Sequence, residues 1–266
     1  MSLKEEMVVK MQLLGIEAKR SLGQNFLISE HVVSEIIEHV ERRAPPFVVE
    51  VGPGLGALTE RLIERKWPRT IIELDRKFAE YWRQRGETVV EGDALQIDWK
   101  DLGLPNETLL LSNLPYQIGS RLVIDLSTNA PAIETMVLMF QREVAERLMA
   151  ETRSKEYGFL SVVAQTFWSL NRIVDASGSD FYPPPNVLSR VVAFKRRKTE
   201  ARLGADFVAF VKTAFQFRRK FMLKAFAADS AALKAVFQKL NVSEKVRAEE
   251  LTAEDFQKIY LMKAYG

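Results

Sequence analysis

The stretch Phe47-Val48-Val49-Glu50-Val51-Gly52-Pro53-Gly54-Leu55-Gly56 decides how this chain is to be read. Phe47 to Val51 is a short apolar, mostly β-branched run and predicts a buried strand. The glycines after it let the backbone turn sharply and approach a ligand closely. Thr59 to Lys66 then reads as a helix. Strand, glycine loop and helix form the opening unit of an α/β fold, and the chain goes on in the same way. Thr70 to Leu74, Thr88 to Glu91, Leu109 to Ser112 and Thr135 to Phe140 read as strands. Arg76 to Arg85, Leu122 to Ser127 and Glu143 to Met149 read as helices. Upstream, Val32, Val33, Ile36, Ile37 and Val40 recur at helical spacing behind Ser29, a candidate N-cap. The alternation predicts a mostly parallel sheet with helices on both faces. Asn171 to Ala176 and Val191 to Lys195 are expected as a hairpin-like antiparallel edge. Phe181-Tyr182-Pro183-Pro184-Pro185 between them is expected as an extended loop, since its prolines exclude helix and central strand. Past Lys198 the pattern changes: Phe207, Val208, Phe210, Val211, Ala214 and Phe215 begin a helix-rich tail without strand candidates. Two domains are therefore expected, residues 1–198 and 199–266.

Composition narrows the chemistry. The chain has 266 residues, 47% of them hydrophobic, which is ample for a core. It has no cysteine, which excludes disulfides, thiolate catalysis and cysteine-ligated metals. Its only histidines, His31 and His39, lie in one amphipathic stretch and read as helix-surface residues, so no metal site is expected. No apolar window is long enough to span a membrane, and Met1 to Lys10 lacks the apolar core of a signal peptide. From Thr199 onward 12 Lys/Arg face 8 Asp/Glu, whereas the rest carries 26 against 27. The positive excess thus lies in the tail, where Arg218-Arg219-Lys220 and Lys224 cluster just beyond Lys195-Arg196-Arg197-Lys198. Such clusters suit phosphate backbones.

The strand ends carry the ligand chemistry, because α/β sheets bind ligands at the carboxyl ends of their strands. The first offers Gly52, Gly54 and Gly56, spaced G-x-G-x-G rather than as the dinucleotide fingerprint. The second ends in Glu73-Leu74-Asp75, and a carboxylate there can accept ribose hydroxyls. The third ends in Gly92-Asp93-Ala94, where Asp93 can accept an adenine amino group. These ends describe a site for an adenosine-containing ligand, and a nicotinamide dinucleotide remains its main rival. The fourth strand ends in Asn113-Leu114-Pro115-Tyr116. An Asn oxygen accepts an N–H, proline stiffens the loop, and a tyrosine ring stacks on a base. Hydride transfer has no use for that tetrad, whereas a methyl donor carrying adenosine does if the acceptor is a base amine.

At this point the chain resembles the ribosomal RNA adenine N6-dimethyltransferases that use S-adenosylmethionine, and within them the bacterial small-subunit branch. The landmarks are Gly23 to Leu27, Glu50 to Thr59, Ile72 to Asp75, Gly92 to Ala94, Asn113 to Tyr116, Gln141 to Val144, Ser154 to Gly158 and Phe181 to Pro185. The resemblance implies a Rossmann-like class I methyltransferase sheet of seven strands plus a small C-terminal all-helical domain. It implies cofactor contacts at Gln24, Asn25, Leu27, Gly52, Gly54, Glu73, Asp93 and Asn113. It implies a catalytic tetrad Asn113, Leu114, Pro115 and Tyr116, with the Asn113 oxygen and Leu114 carbonyl accepting the two N6–H bonds while Tyr116 stacks on the base. The implied target is a pair of adjacent adenosines near the 3′ end of 16S rRNA in the small ribosomal subunit, each dimethylated. Arg218, Arg219 and Lys220 are expected to bind rRNA phosphates. A monomer acting in the cytoplasm, without metal or membrane, is expected. Two other readings stand beside it: a large-subunit rRNA adenine methyltransferase conferring antibiotic resistance, and a non-catalytic ribosome-assembly or RNA-binding factor. The chain departs from the family at Gln117 and Gly119 after the tetrad, at Asn186 and Leu188 after the prolines, and at Phe217, Leu223 and Lys224 in the tail. Gly119, where the family has serine, is expected to loosen the pocket around the target amine and so shift the ratio of mono- to dimethylated product.

Overall fold

A computed structural model describes residues 2–16, 24–199 and 203–265. Gly23, the first residue of the Gly23 to Leu27 landmark, lies outside the described residues. In chain order the elements are α1 Leu3–Leu14, β1 Phe26–Leu27, α2 Glu30–Arg43, β2 Val48–Val51, α3 Thr59–Glu64, β3 Arg69–Glu73, α4 Arg76–Gln84, β4 Val89–Glu91, β5 Thr108–Ser112, α5 Gly119–Asn129, β6 Ile133–Gln141, α6 Arg142–Leu148, α7 Phe159–Phe167, β7 Trp168–Ala176, β8 Phe181–Tyr182, β9 Ser189–Arg196, α8 Ala205–Ala214, α9 Ser230–Lys239 and α10 Ala253–Tyr265.

Seven strands form one sheet in the order β4-β3-β2-β5-β6-β9-β7. The five from β4 to β6 run parallel and β9 is antiparallel to β6. The chain leaves β2 for β3 on one side and later returns to β5 on the other. That reversal leaves a crevice at the carboxyl ends of β2 and β5. The centre of β5 is apolar because both its faces are covered: Leu109, Leu110 and Leu111 are fully buried. Helix α2 covers one face with Val32, Val33, Ile36, Ile37 and Val40, packed with Val48, Leu109, Leu111, Val137 and Met139. Each such side chain stabilises the fold by roughly 1.5–3 kcal/mol. Ser29 caps α2, its Oγ accepting from the Val32 N–H at 3.5 Å. The helix stops at left-handed Ala44, and Pro45 and Pro46 prevent its continuation.

The two late strands lie side by side at one end of the sheet, as expected: Asn171 to Ala176 falls in β7, the outermost strand, and Val191 to Lys195 in β9, which stands between β7 and β6 and is antiparallel to β6. The proline segment is not loop throughout: Phe181 and Tyr182 form β8, antiparallel to Phe26 and Leu27 of β1. Its tertiary partner lies far away in the chain, so no local pattern reveals the pair. Tyr182–Pro183 is cis. Helices α1 and α7 lie outside the elements the sequence pattern predicts. Helix α1 is announced by a capping box, Ser2 with Glu5, but buries only Leu3 and Met7. Helix α7 is apolar on nearly every side, and such a run cannot be told from a strand by periodicity.

The chain divides into two compact units, Met1–Ala145 with Asn171–Lys195 and Glu146–Leu170 with Arg196–Gly266. The division is not a single cut near Lys198, since residues 146–170 group with the tail. The second unit is held by an aromatic core. Phe207 meets Phe167 at 6.1 Å and Tyr260 at 5.4 Å, and Phe215 stacks on Phe256 at 5.8 Å. Tyr157 is wholly buried and donates its hydroxyl to the Leu251 carbonyl at 2.8 Å. Among the described residues of the tail the extended pairing is one isolated bridge, Phe221 with Arg247.

Candidate active site

One cavity opens at the carboxyl ends of β2, β3, β4 and β5. Gln24, Asn25, Leu27, Gly52, Gly54, Glu73, Asp93 and Asn113 all line it, and so do Leu114, Pro115 and Tyr116. Residues scattered over the first 116 positions therefore meet in one place because four strand ends converge there.

The glycine loop has its conformation for two separate reasons. Gly52 has φ +67°, and a Cβ there would meet nothing within 4 Å, so a side chain would stand in open space beside the cavity. Gly56 has φ +92°, and a Cβ there would come within 2.6 Å of the Trp82 ring. Trp82, fully buried, in turn donates its indole N–H to the Gly54 carbonyl at 3.0 Å. The ring thus clamps the loop from behind.

Two buried carboxyls face this cavity. Glu73, at the end of β3, accepts the Asp75 N–H at 2.8 Å. Burial nevertheless raises its pKa to about 7, with Asp75 adding repulsion and backbone N–H groups opposing. Glu50 in β2 is buried completely, and desolvation raises its pKa to about 8. Its Oε2 has no hydrogen-bond partner. In the sequence Glu50 stands out only as part of the glycine loop; its buried, unsatisfied oxygen marks it as a ligand-facing group. Buried acids with raised pKa values are poised to gain from a ligand that brings cationic or hydroxyl donors.

Asp93 also does ordinary capping work. Its Oδ1 accepts from the Leu95 N–H at 2.9 Å and its Oδ2 from the Gln96 side chain at 3.1 Å. A carboxylate still has acceptor capacity beyond those two bonds. Asn113 Nδ2 donates to the Asn25 carbonyl at 3.1 Å, which fixes the amide and leaves Oδ1 as an acceptor. The Tyr116 hydroxyl lies 2.6 Å from Ser189 Oγ, and burial pushes the phenol pKa up.

Two expectations change. Gly119 does not line the cavity. A Cβ there would fall 2.9 Å from the Phe140 ring, so the space beside Gly119 is filled by Phe140 rather than opened to a target base. In the second unit, Arg218 is engaged at all three guanidinium nitrogens: Nε with Glu249 at 2.7 Å, Nη1 with the Lys155 carbonyl at 2.7 Å and Nη2 with the Ser154 carbonyl at 2.9 Å. Arg219 and Lys220 are exposed, and Lys220 Nζ sits 5.4 Å from the Phe217 ring centre. Among the described residues no group of three or more potential ligands could hold a metal, and no helix is long and apolar enough to cross a membrane.

The fold is that of the class I S-adenosylmethionine-dependent methyltransferases. It is similar to the crystal structure of a dimethyladenosine transferase from Plasmodium falciparum, with a TM-score of 0.75 and 23% identity over 89% of this chain and 96% of that one. It is also similar to 23S rRNA methyltransferase ErmE, with a TM-score of 0.65 and 23% identity over 90% and 100% of the two chains. In sequence, the family model described as "Ribosomal RNA adenine dimethylase" matches residues 15–264, and the chain belongs to that family. It is 44% identical to "Ribosomal RNA small subunit methyltransferase A" of Bdellovibrio bacteriovorus, over 94% of this chain and 93% of that protein. Its identity to the protein of the same name from Acidobacterium capsulatum is 39%, over 89% and 88%.

Proposed function

We propose that the protein transfers methyl groups from S-adenosylmethionine to N6 of two adjacent adenosines near the 3′ end of small-subunit rRNA, giving N6,N6-dimethyladenosine during ribosome biogenesis. The observation that carries this reading is the anchored Asn113 amide at the wall of the cavity, its nitrogen tied to Asn25 and its oxygen left to accept. The names of the relatives favour the small subunit over the large one. The partner is then the 16S rRNA of an immature small subunit, met in the cytoplasm by a monomer.

The residues present fit the cofactor. Gly52 leaves room that any side chain would fill, Glu73 suits ribose hydroxyls, Asp93 an adenine amino group, and the unsatisfied Glu50 oxygen an ammonium. Gln24, Asn25, Leu27 and Gly54 complete the wall. S-adenosylmethionine, when bound, supplies a methyl group already activated on its sulfonium. The protein's part is placement and electrostatics. Adenine N6 is a weak nucleophile because its lone pair is delocalised. Asn113 Oδ1 and the Leu114 carbonyl accept its two N–H bonds, and they hold it more strongly as nitrogen gains positive charge. Pro115 stiffens that turn, and Tyr116 stacks on the base once it has left its helix. No strong general base is needed, since the proton can leave after transfer. In the second unit Arg219 and Lys220 contact rRNA phosphates, while Arg218 works within the protein.

The test is methyl transfer from labelled S-adenosylmethionine into small subunits that lack the modification, with large subunits alongside. Label confined to small-subunit adenosines is expected. Label in large subunits only would move the activity to the other rRNA. Cofactor binding without label in either would leave an RNA-binding factor.

A further inference from the structure

We propose that Ser189 is a positioning residue for Tyr116, its hydroxyl holding the phenol so that the ring keeps the orientation in which a target base stacks on it. What stacks there rests on the methylation reading; the hydrogen bond does not.

Tyr116 stands in the turn between β5 and α5, outside any strand or helix ladder. A tyrosine in such a turn can swing about two side-chain torsions, and stacking needs one ring orientation. The structure supplies an outside fixture, the contact of 2.6 Å between the Tyr116 hydroxyl and Ser189 Oγ. Ser189 is a rigid mount. It opens β9, is wholly buried, and stands opposite Gln141 of β6 in an antiparallel ladder. The residue before it, Leu188, accepts the Arg142 N–H at 2.8 Å. Interior strands are among the last parts of a fold to open, so the tie couples a loop side chain to a buried residue of an interior strand.

The division of labour is spatial. Tyr116 is half-buried and lines the cavity, whereas Ser189 does not. Ser189 reaches the site only through the phenol. Asn113 is also tied by a single hydrogen bond, to the backbone carbonyl of Asn25, although Asn25 itself lines the cavity. The two side chains assigned to the base, the acceptor and the stacking ring, are each held by a partner seated elsewhere in the fold. No sequence motif pairs Tyr116 with Ser189, because the pairing depends on β9 entering the sheet beside β6.

The experiment is a double-mutant cycle of Ser189→Ala and Tyr116→Phe, read by methyl transfer and by NMR of a protein carrying ¹³C-labelled tyrosine rings. A neutral hydrogen bond of this kind supports a loss of about 3- to 10-fold in kcat for Ser189→Ala. KM for the cofactor should stay unchanged. Tyr116→Phe should show a similar loss, and the double variant should be no worse than Tyr116→Phe alone. Ser189→Thr, which keeps the hydroxyl, should recover activity. The Tyr116 ring signal, assigned by its disappearance in Tyr116→Phe, should shift and sharpen in Ser189→Ala as the ring gains motion. Losses that multiply in the double variant, a Ser189→Ala enzyme with unchanged kcat, or an unchanged ring signal would each overturn the proposal. If the wild type methylates no rRNA while the ring signal still moves in Ser189→Ala, the substrate reading falls and the positioning role stands.

Discussion

Gly52 and Gly56 sit in one loop and share a left-handed backbone, yet alanine should have opposite consequences at the two. An L-residue held in that region costs about 1–2 kcal/mol, and both variants incur it. At Gly52 the new methyl meets no protein atom within 4 Å, so no further destabilisation is expected. At Gly56 it would stand 2.6 Å from a Trp82 ring that is fully buried and bonded at its indole nitrogen to Gly54. That ring cannot withdraw, and overpacking of a fixed core side chain adds roughly 1–3 kcal/mol. Gly56→Ala should therefore lose about 2–5 kcal/mol and Gly52→Ala about 1–2 kcal/mol, measured by urea unfolding with tryptophan fluorescence. Cofactor affinity should rank the other way. Gly52 lines the cavity and Gly56 does not, so a methyl at Gly52 crowds the ligand. An overpacking cost of about 1–3 kcal/mol there corresponds to roughly a 5- to 150-fold weaker Kd. Gly56→Ala, assayed where it remains folded, should bind within about threefold of wild type. A Gly56→Ala variant no less stable than Gly52→Ala, or a Gly52→Ala variant that binds S-adenosylmethionine as tightly as the wild type, would refute these roles of the two glycines.

Three further outcomes are expected. An unfolded Glu50 would lose its proton near 4.5, whereas the folded one keeps it to about 8; the free protein should lose stability as pH rises through that window, and Glu50→Gln should flatten the slope. For the same reason calorimetry in two buffers at pH 7 should show proton release on cofactor binding, and its absence in the wild type would remove Glu50 and Glu73 from the site. Arg218→Ala should lower stability by about 1–3 kcal/mol, the worth of a partly exposed charged bonding set; Arg219→Ala/Lys220→Ala should leave stability unchanged but reduce the salt slope of RNA binding by about 1.5. Gly119→Ser should push against Phe140, whose ring packs on Phe194 at 5.9 Å, and cost about 1–3 kcal/mol; because Gly119 lies off the cavity, the mono- to dimethyl ratio read by mass spectrometry should not change.

What was legible in the sequence was what local chemistry decides. Leu109 to Leu111 announce a doubly covered strand, Ser29 announces a helix start, and the strand-end residues Gly52, Glu73, Asp93 and Asn113 fall together because parallel strands align their carboxyl ends. Hidden features depended on distant partners. Phe26 and Leu27 pair with Phe181 and Tyr182, and no local pattern carries that. Arg218, Arg219 and Lys220 look alike in a row, but only the fold shows that Glu249, Ser154 and Lys155 hold the first of them. A small residue at Gly119 suggests space, yet Phe140 fills it. The unsatisfied Glu50 oxygen and the Ser189 hydroxyl gain meaning only when the atoms around them are known.

The central claim is that Asn113 holds the amine that is methylated. Small subunits lacking the modification should be incubated with S-adenosylmethionine and either wild-type protein or Asn113→Ala, and their nucleosides resolved by mass spectrometry. The account predicts N6,N6-dimethyladenosine with the wild type and a rate lower by about 10²–10³ with Asn113→Ala, while both proteins still bind small subunits. Equal product from the two proteins would contradict it.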